Sequence, residues 1–293
     1  MAEISASLVK ELRERTGLGM MECKKALVEA GGDAGRAEEL LRIRSGAKAG
    51  KAASRIAAEG AIGAWLADDA KLGAIVEVNC ETDFVAKNVE LLAFANQLAE
   101  AVAKSNPADA QALAGLTVAG ANAEARRQAL VQRIGENIAL RRFARVETRA
   151  RIALYLHTDR KTGVLVEFEG AEDAGKDVAM HVAFHKPAYL AKADVPAQLV
   201  AREREILVAR ASESGKPAGI AARRVEGGLN KFLAEIALLG QPFVKDDKQT
   251  VEKMLAARKS KLLGYRFLVV GEGLQKKNTD FAAEVKAAAE QVR

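Results

Sequence analysis

Cysteine is scarce in this chain. Cys23 and Cys80 are the only two in 293 residues, too few and too far apart for a disulfide framework. Aromatic residues make up 4%, with a single tryptophan, which favours helix packing through small residues over a large aromatic cavity. No apolar run approaches the ~20 residues needed to span a bilayer. The start, Met1-Ala2-Glu3-Ile4-Ser5, has no apolar signal core, so a cytoplasmic location is expected. There is no Ser-His-Asp arrangement, no paired-cysteine motif and no dinucleotide fingerprint, which gives little support to a catalytic site. Nor does charge of one sign dominate. Net charge is +6, with Lys and Arg interleaved among Glu and Asp, the pattern of a solvated helical surface. Such a charge permits nucleic-acid binding without demanding it, and no direct nucleic-acid binding is expected.

What is present suits a packed core: 49% of residues are hydrophobic and 29% charged, over a length sufficient for two domains. To about residue 55 the pattern predicts short helices. Ser5 or Ser7 caps one through Leu8, Val9 and Leu12, and Thr16-Gly17-Leu18-Gly19 breaks it. A second runs from Met20 to Ala30 with Met20, Ala26 and Leu27 on its apolar side, and Ala37 to Ile43 makes a third. Ser45 to Arg55, small, basic and glycine-containing, reads as a partly helical linker.

An internal repeat follows, at an offset of 90 residues and without gaps. Ile62 matches Ile152, Trp65 Tyr155, Asp69 Asp159, Lys71 Lys161, Gly73 Gly163, Glu77 Glu167, Asp83 Asp173 and Phe94 Phe184. Each copy reads strand, polar turn, strand, acidic loop, helix, with β-branched strands at Gly73 to Val78 and Gly163 to Phe168. Leu199 to Ser214 and Ile220 to Leu239, joined by Gly215-Lys216-Pro217, predict an antiparallel helical hairpin with Leu199, Ile206 and Leu207 facing Val225, Leu229, Phe232 and Ile236. A projecting hairpin of this kind is a candidate homodimer contact. Thr250 to Leu263 reads as a helix, Tyr265 to Val270 as a strand, and Thr279-Asp280-Phe281 starts a final amphipathic helix.

The fold class is therefore α+β: an N-terminal three-helix domain with its linker (1–55), a first core subdomain (56–140), a second (141–275) carrying the hairpin at 197–239, and a C-terminal helical module (276–293). Each subdomain is expected to hold a small antiparallel sheet with helices on one face.

Three motifs carry competing readings. Gly170 to Lys176 fits most of a phosphate loop between strand and helix, but Asp177 stands where a Ser or Thr would hold Mg²⁺, and Glu172 and Asp173 would set negative charge into the cradle. His181 and His185 have the spacing of a helical metal pair, without a third ligand; two partly exposed histidines is the plainer reading, and no metal or cofactor is assigned. Cys23, beside Lys24 and Lys25, lacks an accompanying base. Asn79-Cys80-Glu81-Thr82-Asp83-Phe84-Val85 differs from these. Thr82 or Asp83 can cap the next helix, and Phe84 either staples that helix into its own core or stands exposed as a protein-binding anchor.

That last run, with Glu77-Val78 before it, resembles the signature of the elongation factor Ts family. So do Val9-Lys10-Glu11-Leu12-Arg13 through Thr16-Gly17-Leu18-Gly19-Met20-Met21, and Gly135-Glu136-Asn137-Ile138, Met180-His181-Val182-Ala183 and Leu239-Gly240-Gln241-Pro242-Phe243-Val244. Phe184-His185 departs from the family, which carries smaller residues there. The resemblance implies a ubiquitin-associated-like N-terminal domain and a guanine nucleotide exchange factor without covalent chemistry of its own. Its implied partner is elongation factor Tu, GDP-bound and nucleotide-free. By the same resemblance, Thr82, Asp83, Phe84 and Val85 dislocate the partner's Mg²⁺, while Arg13, Thr16, Gly17, Met20, Met21, His157 and Phe281 bind the partner.

Overall fold

A computed structural model describes residues 4–213 and 217–274. The C-terminal helix expected from 276, with Phe281, and the Gly215-Lys216 turn lie outside the described residues. Contact within the chain defines two compact units. One comprises Met1–Gly63, Val76–Phe143 and Val269–Arg293, and the other Ala64–Ile75 and Ala144–Leu268.

In the first unit, α1 (Ala6–Thr16), α2 (Met20–Glu29) and α3 (Ala34–Ala52) close on a core of Val9, Leu12, Leu18, Cys23, Ala26, Leu27, Ala37 and Leu41. Ser5 caps α1 by accepting the Leu8 amide, and Asp33 caps α3 by accepting the Arg36 amide. Gly17 ends α1 in the left-handed conformation, φ 69°. Two expectations need correction here. Leu18 is buried while Met20 is 55% exposed, so Met20 is not a core residue. And the third helix does not stop at Ile43. It runs on through the supposed linker, because Ser45, Ala49 and Ala52 form a buried stripe and Gly46 lies beside Gln128 of α6 (Ala123–Ile134). Packing against α6 overrides the weak helix propensity of Gly46 and Gly50.

The repeat is visible as two hairpins. Strands β1 (Glu59–Leu66) and β2 (Leu72–Cys80) form the first, and β5 (Ala139–Glu147) joins them in the sheet order β1-β2-β5. Strands β6 (Arg151–Leu156) and β7 (Thr162–Glu169) form the second, antiparallel with Leu154 opposite Leu165, in the order β10-β7-β6 with β10 (Lys261–Val269). The two connecting turns are the same turn. Ala70 and Arg160 both take positive φ, 55° and 56°. Asp69 accepts the Lys71 amide and Asp159 the Lys161 amide, at 3.1 and 2.8 Å. The matched aspartates are therefore Asx-type turn formers, which explains their recurrence at the offset of 90.

The copies diverge in their helices. The first spends one turn on α4 (Asp83–Ala86) before α5 (Val89–Ser105), whereas the second has a single helix α7 (Glu172–His185) ended by Lys186 at φ 48°. Consequently Phe94 is buried in the first unit, while its match Phe184 is 72% exposed. The repeat is gap-free through the sheet and not at this helix position. Short β3 (Thr117–Val118) and β4 (Ala121–Asn122) complete the first unit.

The second unit has its core around Val164, Val166, Phe168, Val178, Val182, Leu238 and Phe243. Its helical hairpin consists of α8 (Ala197–Glu213) and α9 (Ala218–Ile236), with Val225 and Leu229 buried and Leu207 lying over Gly228. Ile206, expected in the seam, is 38% exposed. Strands β8 (Pro242–Phe243) and β9 (Asp246–Thr250) precede α10 (Val251–Ala257), which is shorter than expected. It stops where Lys259 takes φ 48°, and β10 starts four residues after the helix, at Lys261. The observed mixture of helices with small antiparallel sheets is the α+β class expected.

Candidate functional site

The run after β2 leaves the sheet as a tight loop whose polar atoms are satisfied from one direction. Glu136, on the turn after α6, accepts the Glu81 and Thr82 amides on one carboxylate oxygen, both at 3.0 Å. Its other oxygen accepts the Thr82 hydroxyl at 2.6 Å. The Thr82 hydroxyl oxygen in turn accepts the Val85 amide at 3.3 Å, which makes Thr82 the N-cap of α4. The Cys80 thiol donates to the Thr82 carbonyl at 3.2 Å. Burial, with the Glu136 and Glu59 carboxylates adding to it, pushes that thiol up to about 12, so it is a structural group and not a nucleophile.

On this anchored turn Phe84 is 82% exposed, and Val89, at the start of α5, is 77% exposed. Of the two readings open in the sequence, the staple is ruled out; the ring stands in solvent. Asp83 is paired with Lys87 at 3.2 Å, and Val85 is half-buried. An exposed aromatic on an anchored turn is the form of a protein-binding anchor, because the backbone that carries it is already ordered and little loop entropy remains to be lost on contact.

In the same unit, Arg13 and Gly17 are exposed on α1 and its C-cap, Thr16 is half-buried, and Met20 and Met21 are 55% and 65% exposed on the first turn of α2. Arg133 of α6 links this corner to the start of α5. Its side chain lies against Gly17, where an added Cβ would come within 3.0 Å, and its guanidinium pairs with Glu90 of α5 at 3.1 Å. His157 belongs to the second unit, exposed in the β6–β7 turn and paired with Asp159 at 2.8 Å. Sequence reading gave Glu136 no role beyond its motif, and it gave Arg133 none. The signal for Glu136 was available in the glycine before it: Gly135, at φ 87°, turns the chain so that residues 136 and 137 face the loop.

The other motifs resolve to structural roles. In the phosphate-loop match, the Ala171 amide already donates to the Ser260 hydroxyl at 3.0 Å, and Lys176 pairs with Glu172 at 2.6 Å. Gly175 is required by packing, since a Cβ there would come within 2.4 Å of the Phe168 ring. Among the described residues no cluster of three or more His, Cys, Asp or Glu side chains could hold a metal. Cys23 is buried against Leu18 and Thr16. No described helix is long and apolar enough to cross a membrane.

His181, expected to be partly exposed, is fully buried. The Val244 amide donates to its Nδ1 at 3.1 Å, so Nε2 carries the proton and donates to Gln241 Oε1 at 2.9 Å. Burial, and to a lesser degree the neighbouring His185, lowers its pKa to about 4 despite the Gln241 bond. The native state therefore refuses a proton that the unfolded chain accepts. Stability falls as pH drops from about 6.5 towards 4, by about 3 kcal/mol. We expect urea unfolding to show the stability gap between wild type and His181→Leu narrowing over that window. A gap independent of pH would exclude this linkage.

Comparison with known proteins follows the same lines. A family model described as Elongation factor TS matches residues 81–272. Proteins named Elongation factor Ts are similar along nearly the whole chain. That of Bordetella petrii is 57% identical over 289 residues, that of Chromobacterium violaceum 56% over 289, and that of Nitrosomonas eutropha 54% over 293. Each match covers 99% of both chains. An α+β protein with a rigid, aromatic-tipped turn thus falls among the translation elongation factors. The chain belongs to the elongation factor Ts family.

Proposed function

We propose that this chain binds GDP-bound elongation factor Tu in the cytoplasm and accelerates release of GDP, allowing GTP to replace it, without covalent chemistry or a cofactor of its own. The observation that carries this reading is the 82% exposure of Phe84 on a turn held by Glu136 and capped by Thr82. Phe84 acts as the wedge, Asp83 as its polar partner, and Thr82 and Val85 hold its shape. The target is the Mg²⁺ and phosphate site of the GTPase. Mg²⁺ demands near-octahedral oxygen coordination, so a small displacement of its ligands costs much of its binding and leaves the GDP phosphates less neutralised. The exchange factor need only bind nucleotide-free Tu more tightly than GDP-bound Tu, and linkage makes nucleotide weaken its own binding by the same ratio. Arg13, Thr16, Gly17, Met20 and Met21 supply grip on the GTPase, with two exposed methionines suited to an adaptable apolar contact. His157 and Phe281 are assigned further partner contacts. Homodimerisation through the α8–α9 hairpin gains no support from the comparisons and is not part of this reading.

The test is release of fluorescent GDP from elongation factor Tu, titrated with the protein. Wild type should accelerate release strongly. Phe84→Ala should lower the maximal rate, by about a hundredfold if the wedge supplies most of the effect. Met20→Ala/Met21→Ala should instead raise the concentration giving half-maximal rate. No acceleration by folded wild type would defeat the reading. A full rate from Phe84→Ala would move the mechanism to the distributed contacts.

A further inference from the structure

We propose that Glu136 is a positioning residue for Phe84, and that it works with Glu81 as a reciprocal carboxylate clamp. The inference rests on the reading that Phe84 acts on the partner, and it adds the device that keeps the ring poised. Glu136 reaches across to the Phe84 turn, where it accepts both successive amides and the Thr82 hydroxyl. Glu81 reaches back, accepting the Asn137 amide and pairing with Arg55 Nε at 3.1 Å. The exchange is closed by two further bonds. The Asn137 side-chain amide donates to the Arg55 carbonyl at 2.7 Å, and the Arg55 guanidinium donates to the Gly135 carbonyl at 3.0 Å. Two turns more than fifty residues apart in sequence are therefore locked by bonds of which most are charge-assisted.

The consequence for Phe84 is mechanical. Its ring is 82% exposed, so no core contact fixes its place. What fixes it is the backbone of residues 81–85, and the Glu136 carboxylate holds that backbone at two amides and holds the capping hydroxyl of Thr82 as well. A carboxylate suits the position because it is acceptor-only, and all three groups facing it are donors. Glutamine keeps one acceptor oxygen but brings an NH₂ towards a donor, while alanine removes the clamp. A wedge that is free to swing still meets its partner, but it seldom meets it in the productive pose. A displacement on the order of 1 Å can cost about a hundredfold in rate.

The same GDP-release assay tests this, with Glu136→Ala, Glu136→Gln, Phe84→Ala and the double variant Glu136→Ala/Phe84→Ala. Glu136→Ala should lower the maximal rate by about ten- to a hundredfold with little change in the half-saturating concentration. Glu136→Gln should recover part of it. Phe84→Ala should cost little more in the Glu136→Ala background, because the two losses are the same loss. Hydrogen exchange of the Glu81 and Thr82 amides should speed up in Glu136→Ala. If Glu136→Ala does not fold, Glu136→Gln carries the same cycle. Independent, multiplying losses, or a fall in affinity alone, would overturn the inference while leaving the exchange function intact. Absence of acceleration by wild type would instead overturn the function itself, and amide exchange would still report on the clamp.

Discussion

Glu77→Ala should destabilise the first unit by about 3–5 kcal/mol, measured as a lower urea midpoint. The Glu77 carboxylate is fully buried, and everything around it donates to it. Arg141 approaches one oxygen at 2.8 Å and Arg142 the other at 2.5 Å. The Gly271 amide and the Asn79 side-chain amide bond at 2.8 and 3.1 Å. Arg142 also donates to the Val269 carbonyl and pairs with Glu272, so the ion cluster ties β2 and β5 to the segment leaving β10. Both arginines are partly exposed and can turn to water, which places the expected loss nearer the lower figure. Burial by itself would raise the Glu77 pKa. Hydrogen bonds from Arg142, Gly271 and Arg141 outweigh it and hold the carboxylate below its usual range. A depressed folded pKa contributes stability above the unfolded value, near 4.3, that is lost as pH falls through the folded one. Glu77→Gln should therefore remove part of the acid dependence of stability below about pH 4.5. An unchanged urea midpoint for Glu77→Ala would show that the cluster only breaks even with its desolvation.

Gly63→Ala should be of similar size, about 3 kcal/mol or more, and should leave little folded protein on expression. A Cβ at this point of β1 would stand 2.1 Å from the Ala95 carbonyl oxygen and 2.8 Å from the Ala95 Cβ. The obstacle is helix backbone, which no rotamer change can remove. In the second copy Ala153 occupies the matching strand position, and the tight strand–helix approach falls elsewhere, at Gly175 of α7 against the Phe168 ring. Gly175→Ala would be the counterpart experiment. The expected result is a large fall in the urea midpoint or recovery only from inclusion bodies. A Gly63→Ala variant within 1 kcal/mol of wild type would mean that α5 can be displaced at small cost.

Much of the fold was legible because local rules agreed with the global one. The hairpins announce themselves through β-branched strands on either side of Asp69 and Asp159, and both aspartates make the same turn. Ser5, Thr82 and Thr250 cap helices from positions a sequence reader would choose. The failures have a common cause. Ser45 to Arg55 reads by composition as a partly helical linker, whereas the helix is unbroken to Ala52, with Ser45, Ala49 and Ala52 buried and Gly46 beside Gln128 of α6. Met20 falls on the apolar side of its helix by periodicity, yet it is exposed while Leu18, read as part of a helix break, is buried. Phe94 and Phe184 match in sequence and differ in burial, because the helices of the two copies start at different points over their sheets.

The candidate site divides in the same way. Sequence by itself determined which residues form the turn, that Thr82 could cap it, and that it belongs with a family of translation factors. Each of these depends on neighbours within a few positions or on the order of motifs along the chain. Whether Phe84 was buried or exposed, and that Glu136 and Glu81 exchange carboxylates across the two turns, only the tertiary structure decided. An isolated phenylalanine beside a cap satisfies the staple and the anchor equally well. The choice rests on whether a core lies within reach of the ring, and on which distant acceptor saturates the backbone that carries it.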